Sequence, residues 1–181
     1  MKNIIFLLTF ISLCVNCKAQ QQILPLETKG WSSGNVYYKD LNNDLEPYVG
    51  TWKGTFDNKT FTISFLKNKS YNSMGNYFKD RLLGRYNMKD SNGNQLYSTY
   101  NLPDDDVKIT SLGFVNSMTK DKLRFIFLDA CIEGEIHLNF ENAQKTQMHW
   151  QYFTNQTLVG DDSGCATINE MPRGEMTLIK Q

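Results

Sequence analysis

From residue 48 onward the chain alternates apolar and polar side chains with a period of two, and clusters of Asn, Asp and Gly interrupt the pattern. Phe61, Ile63 and Phe65 fall on one side of such a run, as do Ile136, Leu138 and Phe140, and then Met148, Trp150 and Tyr152. No window sustains the spacing of an amphipathic helix, so the chain is confined to sheet. Strands are predicted at Tyr48 to Phe56, Thr60 to Lys67, Leu82 to Met88, Gln95 to Asn101, Val107 to Val115, Leu123 to Leu128, Glu135 to Glu141, Gln147 to Thr154 and Glu175 to Lys180. A looser segment around Gly75 separates the second from the third. Short turns join most of these segments, which predicts an all-β, antiparallel up-and-down meander. A meander of eight to nine strands shields its edges by closing into a barrel.

The start of the chain has a different character. Lys2 precedes an apolar run from Ile4 to Val15, about a dozen residues, whereas a membrane-spanning helix needs roughly 20. Residues 1–19 are therefore expected to be an export signal, 20–34 a polar linker or tether, and 35–181 the folded domain. Two processing schemes fit Cys17-Lys18-Ala19-Gln20: ordinary cleavage after Ala19, or lipidation of Cys17, since this ending resembles the signal-peptide ends of exported Bacteroidota lipoproteins. The expected location is the periplasm, the outer membrane as a lipoprotein, or the extracellular space. Membrane contact is expected only through a lipid on Cys17.

Export bears on the remaining cysteines. Cys14 leaves with the signal, and Cys131 and Cys165 stay in the domain, where an oxidising compartment favours their pairing as a disulfide. In the chain-entropy picture a loop of that length makes the bond worth roughly 3–4 kcal/mol.

Charge and motif content exclude several roles. Lys plus Arg and Asp plus Glu number 19 each, so the chain carries no basic footprint for nucleic acid. No nucleophile elbow, zinc helix, phosphate loop or dinucleotide fingerprint occurs, and a non-enzymatic protein without cofactor is expected. The two histidines lie on consecutive predicted strands. If the apolar faces of those strands are to meet, paired residue numbers must sum to an even value. An odd loop such as Asn142-Ala143-Gln144 then sets His137 opposite His149. With Glu135 adjacent the pair could bind a transition metal, but a solvated outer face is the more economical reading, and no metal site is assigned. Asp40-Leu41-Asn42-Asn43-Asp44 begins like a calcium loop but has Leu45 where the glycine belongs, and it reads as a turn before the first strand.

At Tyr48-Val49-Gly50-Thr51-Trp52-Lys53-Gly54 the chain resembles the Gly-x-Trp opening of the first strand in lipocalin-like (calycin) barrels. It also looks like an uncharacterised family of exported flavobacterial proteins with this strand. The resemblance implies structural roles for Gly50, as a point of close backbone approach, and for Trp52, as a plug at one barrel end. Arg85 and Arg173 are the candidates for the arginine that often caps this tryptophan, although neither sits in a matching motif.

Aromatic residues make up 13% of the chain and must occupy a core, a cavity or a contact face. Phe61, Phe65, Phe125, Phe127, Trp150 and Tyr152 are expected to face the barrel interior. There they either fill it or bind a small apolar ligand, the leading functional expectation. The alternative is a protein-interaction or inhibitor module that meets an envelope partner through the loops Asn68 to Asn76 and Gln156 to Pro172.

Overall fold

The computed structural model describes residues 20–30, 34–129, 133–155 and 171–181. The expected signal with Cys17 and the proposed Cys131–Cys165 pair lie outside the described residues. The strands are β1 (Gln22–Pro25), β2 (Val36–Lys39), β3 (Gly50–Phe56), β4 (Lys59–Asn72), β5 (Tyr77–Lys89), β6 (Gln95–Ser98), β7 (Ile109–Phe114), β8 (Leu123–Leu128), β9 (Glu133–Phe140), β10 (Gln147–Asn155) and β11 (Gly174–Lys180).

Eight of these close a barrel. The antiparallel ladder runs β3, β4, β5, then β7 to β11, and β11 returns to β3 through Trp52↔Lys180 and Lys53↔Ile179. The all-β barrel expected from the alternation is what forms, with three strands added around it. The free edge of β5 explains the additions. It takes β2 at Tyr77–Lys79, β7 at Leu83 and Gly84, and β6 at Asn87–Lys89, so β6 is a short flap on the end of β5 and not a stave. The segment around Gly75, expected to be loose, is the tip of one long hairpin in which β4 and β5 stay paired from Thr60↔Lys89 to Asn72↔Tyr77. The Asn72 side chain accepts from the Gly75 N–H at 2.7 Å, and Asn76 adopts φ 52°, a left-handed conformation that Asn tolerates well.

Within residues 20–34, expected as a linker, the structure has β1 paired in parallel with β2, and Leu26 buried in the main core. Two strands of four residues are too short to display a period, which is why the alternation did not reveal them.

Inward-facing side chains form one continuous core whose largest fully buried members are Trp52 and Trp150. One barrel end is sealed by the segment before β3. The Trp52 indole N–H donates to the Tyr48 carbonyl at 2.8 Å, and the Tyr48 ring stacks on Phe140 at 4.5 Å. Lys180, not Arg85 or Arg173, caps the indole. Its ammonium lies 5.2 Å from the Trp52 ring and donates to the Pro47 carbonyl at 3.2 Å. Arg85 instead holds the Leu102 carbonyl and Asp104 on the outer wall.

Asp40 serves as an internal cap and not as a calcium ligand. Its buried carboxylate accepts the Asp44 and Leu45 N–H groups at 2.8 and 3.1 Å and meets the Lys67 ammonium at 3.5 Å. Asp80 anchors the same turn, accepting the Asp40 N–H at 2.9 Å and the Tyr37 hydroxyl at 2.6 Å. Burial works against the Lys67 charge, but Glu46 and Asp40 outweigh it and raise its pKa.

Candidate functional site

The six aromatics expected inside the barrel all point inward and belong to the main core. They are arranged along the barrel axis. Phe65 and Phe125 stack at 4.9 Å in the half nearer Trp52, and Phe61 meets Trp150 edge-on at 5.1 Å. Phe127 and Tyr152 meet edge-on at 6.1 Å toward the far end. Register places them there, since Phe127 pairs with Gly134 and Tyr152 with Gly174, at the opposite ends of their strands from Trp52↔Lys180.

Tyr152 is the exceptional member of the set. Only 6% of it is exposed, and its buried hydroxyl has no hydrogen-bond partner among the described residues. The ring lies flat over β9 because residue 134 is glycine: a Cβ there would stand 2.3 Å from the Tyr152 Cε2 atom. Trp150, its neighbour on the same face, spends its indole N–H on the Pro172 carbonyl at 3.4 Å. Burial raises the Tyr152 pKa, with the Arg173 charge opposing the shift, and burial raises that of Tyr86 as well. These phenols are neutral hydrogen-bond donors at physiological pH.

At this end, among the described residues, a cleft of about 130 Å³ is lined by Phe56, Asp57, Lys59, Met88, Met171 and Arg173. Apolar side chains form part of its lining, and Lys59 and Arg173 bring positive charge. None of the six expected aromatics lines it. The residues that do were missed because Phe56 and Met88 read as the ends of strands and Met171 falls in the loop Gln156 to Pro172. Gly174, at φ 110°, brings β11 close to the Phe56 ring.

The histidine geometry needs correction. β9 and β10 pair with an even sum, as expected, but in a register two residues away from the one that opposes the histidines: His149 faces Asn139, and His137 faces Gln151. The loop is longer than three residues because Asn142 caps it, accepting from the Thr146 and Gln147 N–H groups at 2.9 and 3.2 Å. Each histidine keeps its own carboxylates, Glu135 for His137, and Glu141 and Glu175 for His149. Among the described residues no group of three or more His, Cys, Asp or Glu is placed to hold a metal ion.

The solved structure of EF1p2_mFAP2b bound to DFHBI is similar at 14% identity and a TM-score of 0.39, covering 78% of this chain and 100% of that one. No curated protein matches the chain. A family model described as a family of unknown function, DUF6705, matches residues 1–181.

Proposed function

Because the chain belongs to DUF6705, a family of unknown function, its role rests on its own geometry, and we propose that it is an exported, non-enzymatic binding protein of the cell envelope or the secreted fraction. It takes the end of a small apolar or amphipathic molecule at the barrel end opposite Trp52. Of the six core aromatics, Phe127, Trp150 and Tyr152 lie toward that end, behind the residues that line the cleft, and Phe61, Phe65 and Phe125 form the packed floor beneath. The Tyr152 hydroxyl carries this reading. A buried donor without a partner costs about 1–3 kcal/mol, and a ligand oxygen that accepts from it recovers that cost. The adjoining cleft, about 130 Å³, is close in size to the roughly 150 Å³ engineered cavity that binds benzene. One ring or chain end fits, and the rest of the molecule extends outward past Arg173 and Lys59. The export part of the proposal is supported by Lys2 and the apolar run Ile4 to Val15.

The test is native mass spectrometry of the protein purified from its own envelope, alongside Tyr152→Phe. A small molecule retained by the unmodified protein and lost from the variant supports the reading. Equal ligand content in both, or no ligand in either, refutes it.

A second reading, protein interaction through the segment Asn68 to Asn76, which forms the end of β4 and the hairpin tip, has one observation in its favour. The β4–β5 hairpin tip presents Met74 at 96% exposure and Tyr71 at 55%. Met74→Asp should abolish capture of an envelope protein by the immobilised chain, and capture that survives the substitution counts against this role.

A further inference from the structure

The barrel wall has a seam between β5 and β7. Only Leu83↔Thr110 and Gly84↔Ile109 pair across it. Further along, β7 is bulged between Ser111 and Gly113, and β5 has turned to take β2 as its neighbour. Side chains bridge the gap. The Ser111 hydroxyl accepts the Leu82 N–H at 2.8 Å, and the Lys79 ammonium donates to the Leu112 carbonyl at 3.1 Å. Leu26, from the turn after β1, belongs to the main core.

Beside Leu26 this seam holds a cleft of about 250 Å³, lined by Leu26, Thr28, Gly30, Tyr38, Tyr77 and Lys79. The Tyr38 and Tyr77 rings meet edge-to-face, 5.1 Å apart at 84°, and supply an aromatic wall. Lys79 is the charged member of the lining. Three ammonium protons are available to it, and its one hydrogen bond among the described residues goes to Leu112. Burial lowers the Lys79 pKa, the Glu27 carboxylate opposes that shift, and the charges of Arg81 and Arg124 add to it. Arg124 lies outside the lining and pairs with Glu135, its Nε 3.9 Å from the carboxylate. An ammonium with protons to spare, in a partly desolvated cleft with ring walls, favours an anion that carries an apolar body.

We propose that this wall cleft is a binding site for a small carboxylate with an aromatic or short apolar body, separate from the cleft at the barrel end. The carboxylate pairs with Lys79, and the body lies against Tyr38, Tyr77 and Leu26. If about six heavy atoms of benzene fill roughly 150 Å³, a cleft of about 250 Å³ takes about ten, the size of phenylacetate.

The experiment is an NMR titration of the protein, purified as exported, with phenylacetate and with its neutral isostere phenylacetamide. Phenylacetate should shift the amide signals of residues 26–30, Tyr38 and Tyr77 to Lys79, with a low-millimolar or tighter Kd. Phenylacetamide should bind at least about tenfold more weakly. Lys79→Gln should weaken phenylacetate to the level of the amide. Equal affinity for acid and amide overturns the proposal, as does the absence of shifts at these residues. Shifts confined to Phe56, Met88 and Met171 overturn it too, and they would leave the proposed function at the barrel end standing. If Lys79→Gln does not fold, the comparison of acid with amide on the unmodified protein decides alone.

Discussion

Gly54 sits where β3 crosses β11, the closing contact of the barrel. A Cβ at this position would lie 2.7 Å from Leu178 Cδ2, 2.8 Å from the Thr177 carbonyl oxygen and 3.2 Å from Met176 Sδ. The two side-chain atoms can swing, but the carbonyl cannot move alone, because Thr177 lies inside the β10–β11 ladder opposite His149. Restoring ordinary contact in Gly54→Ala would push β11 outward by about half an ångström, at a joint that holds only two residue pairs. Overpacking of this kind costs about 3 kcal/mol at the upper end of its usual range. Lower entropy of the unfolded chain returns roughly 0.5–1 kcal/mol, leaving about 2 kcal/mol of destabilisation. For a domain of this size that is a fall of roughly 4–8 °C in Tm, measurable by calorimetry or circular dichroism. Gly93→Ala is the control. Gly93 has φ 86° and nothing within 4 Å of its Cβ direction, so only backbone strain of about 1 kcal/mol operates there. A Tm for G54A at or above that of G93A would refute the steric account.

Asp80→Ala should lower the urea midpoint by the equivalent of about 2 kcal/mol, because the Tyr37 hydroxyl and the Asp40 N–H lose their shared acceptor. Asp80→Asn, which keeps one oxygen, should cost less, and identical midpoints for the two would show that hydrogen bonding is not what holds this turn. Alkaline pH should also destabilise the fold. Burial raises the pKa values of Tyr48 and Tyr86 above the ordinary 10.0, so the folded state keeps protons that the unfolded state releases. The stability is therefore intact below about pH 10 and declines above it. Denaturant titrations across that range check the sign, and a midpoint that stays flat or rises would contradict it.

The legible parts of this fold are those governed by alternation over six or more residues. Phe61, Ile63 and Phe65 reveal the inner face of β4, and Met148, Trp150 and Tyr152 that of β10, because a one-residue slip would expose every one of them. Parity was readable between β9 and β10, but register was not. It depends on how many residues Asn142 gathers into its cap, and an apolar pattern with period two looks the same after a shift of two. Lys180 could have been found: it continues the inward parity of Met176 and Leu178, and a lysine on the core side at the end of a strand needs a partner such as the Trp52 ring. The candidate sites were harder to see. The end cleft combines Phe56, Met88 and Met171 from three separate segments, and the wall cleft depends on the parallel docking of β1 and β2. Neither leaves a local mark in the sequence.

The return of β11 to β3 also governs how the molecule forms. The Lys180 to Pro47 hydrogen bond joins positions 133 residues apart, so loop-closure entropy must be overcome before that joint contributes anything. Until that joint forms, β3 and β11 are unpaired sheet borders, each open to a strand from another molecule. Refolding that slows as protein concentration rises, with exchanged dimers as the by-product, is the outcome expected of such a closure.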